Sequence, residues 1–319
     1  MTTEPKTLFS VTAVRNDLEV VKDTSQSLAS SGNRFLILLS LLALYILWGT
    51  TYLAMRVGLT GFPPFLLASI RFLIAGAILY PILRLRGAPT PTRKQWLGSL
   101  LVGILLLAGG NGGVIFSEQW VASSLASVGI AAVPLWTALF AGLWGRWPTR
   151  IEWLGLGLGF IGVILLNLGN NMWANPAGAI ALLIAAISWA LGSVVSRHVS
   201  LPTGLMSSAC EMLTGGIVLF LMSLGFHEKA PNLTVVPALL ALGFLIIFGS
   251  LVAFSAYGYL LRHVRPTLAT SYAYVNPLVA VGLGVVLAGE RLAPLEILAI
   301  IIVLTGVGLV SLQQGKHKS

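Results

Sequence analysis

Residues 236–260 read VPALLALGFLIIFGSLVAFSAYGYL, 25 positions without one charged side chain. A helix of that length rises by roughly 37 Å, enough to cross a bilayer core of about 30 Å. From Arg34 onward, similar apolar runs alternate with short breaks, over 35–57, 65–84, 97–117, 121–144, 152–168, 177–196, 205–225, 267–288 and 294–312. With the first stretch they number ten. Their apolarity is continuous rather than alternating, which excludes a transmembrane β-barrel. Glycine and proline inside them are tolerated by membrane helices. The expected fold class is an all-α polytopic membrane protein with ten transmembrane helices.

Composition points the same way. Hydrophobic residues make up 56% of the 319 positions and charged residues 9%, against about 25% charged in a soluble domain. A soluble fold of this size could not hide so much apolar surface, and a disordered chain would be poor in it. The single cysteine, Cys210, allows no intrachain disulfide and no cysteine metal cluster. The histidines at 198, 227, 263 and 317 show no ligand spacing, and aspartate is absent after Asp23. No metal and no cofactor are expected. The chain has no GxxxxGKS/T stretch, so ATP hydrolysis is not expected. It has no HExxH or GxSxG either, so it is not read as an intramembrane enzyme.

Residues 1–33 are polar and carry seven of the 29 charges, without an apolar run. They read as a disordered cytoplasmic tail and not as a cleavable signal. Residues 314–319 form a short basic tail. With the N-terminus inside, the cytoplasmic loops hold Arg84, Arg86, Arg93, Lys94, Arg146, Arg150, Arg197, Arg262 and Arg265. The tails add Lys6, Arg15, Lys22, Arg34, Lys316 and Lys318. That is 15 basic residues inside, against Arg56, Lys229 and Arg291 outside. The bias places both termini in the cytoplasm. It also accounts for the net charge of +9 without a nucleic acid.

The chain repeats itself. Trp48 and Arg56 match Trp189 and Arg197. Arg71 through Gly76 matches Glu211 through Gly216. Leu125-Ala126-Ser127 and Pro134 match Leu268-Ala269-Thr270 and Pro277, and Glu152 and Gly162 match Glu296 and Gly306. The offset stays between 140 and 144. The halves are 34–170 and 171–313, five helices each. Two odd-numbered repeats in tandem must lie inverted in the membrane, the architecture of secondary transporters that hold substrate near the midplane.

Several stretches together resemble the EamA-type branch of the drug/metabolite transporter superfamily. They are Trp48-Gly49-Thr50-Thr51-Tyr52, Arg71-Phe72-Leu73-Ile74-Ala75-Gly76, Gly109-Gly110-Asn111-Gly112, Ser188-Trp189-Ala190-Leu191-Gly192-Ser193, Leu268 through Pro277, and Gly289-Glu290-Arg291-Leu292. The resemblance covers about 35–312. It implies ten helices, inverted repeats and export of small metabolites, often amino acids, across the inner (plasma) membrane. A lipid flippase or scramblase on the same fold is the alternative, and would need a side-open groove with a polar stripe.

Candidate site residues follow from polarity in the wrong place. Arg71 and Glu211 are full charges well inside expected helices, at matched repeat positions. Intramembrane charges face a partner or a wet cavity. One reading makes Arg71 a substrate carboxylate contact and Glu211 a proton site; the other makes them an internal ion pair or packing elements. Trp48 and Trp189 lie mid-helix, away from the interfacial belt, and either stack on substrate or pack the two halves together. Asn111, among four glycines, lines a broken helix or bonds across a tight crossing. Tyr272 and Asn276 precede Pro277, with Tyr274 between them; Asn276 holds substrate or repairs the kink. Tyr257 and Tyr259 are weaker candidates. Arg56 and Glu118 form an outer gate or a solvated surface pair. Gly155 and Gly159 make a small-residue face for packing or for a homodimer. The expected partners are a small-molecule substrate, the bilayer and a coupling proton.

Overall fold

The computed structural model describes residues 34–121, 123–166, 176–288 and 294–316. The tail read over 1–33, the Gly289–Leu292 tract and residues 317–319 lie outside them. Residues through Leu39 form one unit and Ser40–Ser319 a second; the interactions described below lie in the second.

Among the described residues all regular structure is helical. In chain order the helices are α1 (Arg34–Gly58), α2 (Pro64–Leu85), α3 (Arg93–Ser117), α4 (Ser123–Ile130), α5 (Val133–Leu143), α6 (Arg150–Leu166), α7 (Pro176–Val195), α8 (Leu205–Gly225), α9 (Val236–His263), α10 (Pro266–Ala269), α11 (Tyr272–Ala288) and α12 (Pro294–Lys316). Among the described residues seven spans are long and apolar enough to cross a membrane: α1, α2, α3, Ala126–Leu143, α7, α8 and α9. Helices α6 and α11 have 17 described residues each, and α12 contains the shorter apolar segment Ile297–Val310.

Local chemistry sets the helix ends. Pro64 opens α2 after an extended Pro63, where the missing N–H costs nothing. Thr92 and Gln95 form a reciprocal capping box at α3, and Thr149 and Glu152 form another at α6. Two runs expected to be continuous, 121–144 and 267–288, are instead broken at Ala131-Ala132 and at Thr270-Ser271. Pro134 has no N–H for the Ile130 carbonyl, so α4 stops there. The hydroxyls of Thr270 and Ser271 bond back to the carbonyls of Pro266 and Leu268, competing with the main chain.

The most extensive packing joins α2 to α8 and α6 to α12. Helix α1 lies against α9 and α11, while α7 lies against α3, α4 and α5. At the α6–α12 crossing the backbones nearly touch. A Cβ on Gly306 would lie 2.6 Å from the Gly155 carbonyl oxygen, and one on Gly155 would lie 2.7 Å from that of Gly306. The small-residue face of α6 is thus covered by α12 of the same chain.

Among the described residues three helices widen locally into π-helical turns, at Leu44–Trp48 in α1, Ile104–Asn111 in α3 and Leu245–Phe254 in α9. Such segments are rare and cluster at functional sites. Glycines 109 and 110 weaken the α-helical alternative in α3. In α9 the Ser250 hydroxyl donates to the Leu245 carbonyl five residues back, reinforcing the wide turn.

Candidate functional site

The three wide turns converge. Trp48 ends the one in α1, and its indole meets the Trp189 ring of α7 edge to face at 5.4 Å. Tyr257 of α9 lies 5.2 Å from Trp48 and 5.4 Å from Trp189, and Tyr272 of α11 lies 4.7 Å from Trp48 and 5.7 Å from Tyr257. Four aromatic rings from four helices thus form one cluster. Three of its polar edges are satisfied. The Trp48 Nε1 donates to the Gly249 carbonyl at 3.1 Å, the Trp189 Nε1 donates to the Tyr257 hydroxyl at 3.0 Å, and that hydroxyl also bonds Ser193.

A cavity of about 40 Å³ adjoins this cluster, its wall including Trp48, Tyr52, Asn111, Trp189, Tyr272 and Asn276. That volume suits one or two waters and nothing larger. Asn276 is 1% exposed, and neither of its amide atoms reaches hydrogen-bond geometry. The Tyr52 hydroxyl lies within interaction range of that amide and of the Glu118 carboxyl.

Behind Asn111 sits Arg71, 1% exposed. Its Nε donates to the Ser250 hydroxyl at 2.8 Å and its Nη1 to the Asn111 Oδ1 at 3.4 Å. With Oδ1 engaged, Asn111 has its amide N–H groups left for the cavity. The other nitrogen crowds Gly249, where a Cβ would lie 2.8 Å from Nη2. Arg71 and Glu211 do not pair. Glu211 accepts from the Ser207 hydroxyl one turn away on α8 and feels Arg262. Equivalent repeat positions on α2 and α8 serve different neighbourhoods.

Two larger recesses flank the centre, at opposite ends of α8 and about 30 Å of helix rise apart. One, about 800 Å³, is bordered by Arg56, Phe116, Trp120, Glu228 and Lys229. The other, about 510 Å³, is bordered by Arg146, Arg197, Glu211 and Arg262. At the first, Arg56 donates to the backbone carbonyl of Glu118, at the end of α3. At the second, Arg197 donates to the backbone carbonyl of Val264, at the end of α9. Helix C-termini concentrate negative partial charge, which suits a guanidinium. Burial and neighbouring Arg146 lower the Arg197 guanidinium to about 10.

Glu118 is no solvated surface partner for Arg56. Arg56 holds its main chain, while the carboxyl is fully buried and neither oxygen has a hydrogen-bond partner among the described residues. Burial pushes it well above the usual carboxylate range, and the Arg56 charge pulls it partly back.

The structure therefore brings together Trp48, Asn111, Trp189, Tyr272 and Asn276, with Arg71 one bond behind. Tyr274 lies elsewhere: its hydroxyl donates to the Leu156 carbonyl and its ring covers Gly159, joining α11 to α6. Tyr52 is a contributor that sequence reasoning passed over as a site residue. Tyr52 is four residues past Trp48, one turn along the same helical face, and that spacing was a usable signal.

The chain matches the EamA-like transporter family twice, over residues 35–168 and 176–312. It is 47% identical over 279 residues to the uncharacterized inner membrane transporter YedA of Escherichia coli (strain K12), covering 87% of this chain and 90% of that one. A WAT1-related chloroplastic protein of Arabidopsis thaliana is 28% identical over 288 residues, 86% of this chain and 69% of that one. A crystal structure of a protein 22% identical shares the fold, with a TM-score of 0.70 over 87% of this chain and 98% of the other.

Proposed function

The chain belongs to the EamA-like transporter family, and on that premise we propose that it is a secondary active permease of the inner membrane, exporting a small amphipathic, amino-acid-like metabolite by alternating access. The observation that carries the reading is the aromatic and amide lining of the central cavity, with a larger recess towards either end of α8. Its wall offers flat apolar faces for a side chain and amide groups for a carboxylate or carbonyl, the mix expected of a small-molecule site.

Ten helices in two inverted repeats fit the packing. Helix α2 pairs with its repeat partner α8, and α6 with its partner α12. The contact of α1 with α9 has its counterpart in α7 with α3, as a two-fold axis in the membrane plane requires. The long π-helical stretches begin at residues 104 and 245 and end at 111 and 254, offsets of 141 and 143 that match the repeat. Arg56 and Arg197 each follow the matched tryptophan by eight residues and each clasp the end of the third helix of a half. The two clasps act as gates. By the distribution of basic residues, the Arg197 gate faces the cytoplasm and the Arg56 gate faces outward.

The lateral recess between α3, α7 and α8, bordered by Phe65, Gly109, Gly113, Ile184 and Phe226, contains no charged side chain. A lipid headgroup would find no polar stripe there, which supports a solute path over a flippase.

The test is uptake of a mixed pool of labelled amino acids into proteoliposomes. Saturable accumulation of one class, reduced more than tenfold by Trp189→Ala with folding intact, is the expected result. Flux unchanged by both Trp189→Ala and Asn111→Ala sinks the reading.

A further inference from the structure

Glu118 is a buried acid that the solute path does not use. Fully buried and without a hydrogen-bond partner at either carboxylate oxygen, it would be costly to hold as an anion. Its position is specific. The Glu118 N–H still bonds the Val114 carbonyl in helical fashion, so Glu118 lies two turns beyond Asn111 on the same face of α3. Helix α1 brings Arg56, which holds the Glu118 carbonyl rather than the carboxylate, and Tyr52, which also reaches Asn276 in the cavity wall. From the rim, Glu228 is engaged by the N–H groups of Phe65 and Leu66 at the start of α2, and Lys229 borders the recess. The far gate differs: there Glu211 has the Ser207 hydroxyl and the Arg262 charge.

We infer that Glu118 is the proton-binding site of the Arg56 gate: closing this gate takes one proton from vestibule water onto the Glu118 carboxyl, and opening it gives the proton back. The inference rests on the permease reading, which supplies the opening and closing. One O–H bond forms on closure and breaks on opening; no other bond changes. In the open gate, water hydrates the carboxylate. In the closed gate, Arg56 is committed to the main chain and no cation replaces that water. The closed state therefore binds the proton more tightly than the open one, and by linkage a rising pH opens the gate. Each transport cycle opens this gate once, so a proton is exchanged at this face with each solute. Helix α3 carries both Glu118 and Asn111, which ties the proton to the cavity.

The experiment measures maleimide labelling of Val114→Cys, a cavity-wall position, in a Cys210→Ser background, with the full chain in lipid nanodiscs. The labelling rate, divided at each pH by that of the same cysteine in Glu118→Gln to remove the ordinary rise in thiolate, is expected to climb as pH rises above the ordinary carboxylate range, by up to about tenfold per unit. Glu118→Gln, which fixes the neutral state, is expected to label more slowly than the parent and to show only the rise that thiolate formation brings. Glu118→Leu serves the same purpose should the glutamine variant not fold. A parent-to-variant rate ratio that ignores pH, with either substitution as the reference, overturns the inference. The assay needs no transported solute, so its failure leaves the permease reading to stand or fall by the uptake assay.

Discussion

Glu118 and Glu152 are both fully buried glutamates at helix ends, and they differ in everything else. Glu152 accepts from the Thr149 N–H at 2.8 Å and the Thr267 hydroxyl at 3.3 Å, and pairs with Arg265 at 3.0 Å. It caps α6, ties it to α10 and sits among donors on every side. Glu118 has none of these, although a guanidinium is at hand, because Arg56 clasps the carbonyl of Glu118 and leaves its carboxyl alone. A carboxyl that is buried and supplied is an element of the fold. One that is buried and left unsupplied is held in a charge state it would lose once water reached it.

The contrast can be broken most directly at Glu152. Glu152→Ala strands Arg265 and uncaps α6, and is expected to destabilise the protein by about 3 kcal/mol, the lower end for a broken buried pair because Arg265 is partly exposed. Thermal unfolding in detergent measures this; an equal loss from Glu118→Leu would erase the distinction.

Next in size is the pH slope at Glu118. Its carboxyl is raised in the folded state, so the folded state holds a proton that the unfolded state releases above the ordinary carboxylate range. Stability is complete below that range and falls as pH rises toward the raised value, by about 1.4 kcal/mol per unit. Melting temperature against pH is expected to show this fall and to flatten in Glu118→Gln; a variant with the same slope as the parent would assign it to another group. The smallest effect is expected from Arg56→Ala. It removes one hydrogen bond at a partly wet site, worth about 1 kcal/mol, and should speed labelling of Val114→Cys severalfold. Unchanged labelling would show that the clasp is not what closes this end.

Much of the fold was legible in the sequence because a bilayer imposes length and apolarity on every span. The runs at 205–225 and 65–84 reappear as helices Leu205–Gly225 and Pro64–Leu85. The breaks at Ala131-Ala132 and Thr270-Ser271 were not legible, since they depend on where single carbonyls find donors. In the site, Trp48, Asn111, Trp189, Tyr272 and Asn276 stood out because each is too polar or too large for a lipid-facing position. The ion-pair reading of Arg71 and Glu211 failed because matched positions along two helices say nothing of rotation about them. Arg71 turns toward Ser250 of α9, whereas Glu211 turns toward Ser207 and Arg262. Nor could spacing reveal that Arg56 reaches a carbonyl instead of the neighbouring carboxylate.

The wide turns in α3 and α9 carry one further consequence. Relative to an α-helix, a π-helical stretch shifts each hydrogen bond by one residue, and one residue corresponds to a rotation of about 100°. If Ile104–Asn111 tightened to ordinary α-helix, Asn111 would swing out of the cavity wall while the far end of α3 advanced by little more than an ångström. The polar lining of the path is therefore indexed in whole steps, as on a ratchet wheel, and not tuned continuously. Deleting a single residue from this stretch would let it close as ordinary α-helix with its flanks in register, where the same closure without a deletion would turn the site by one step.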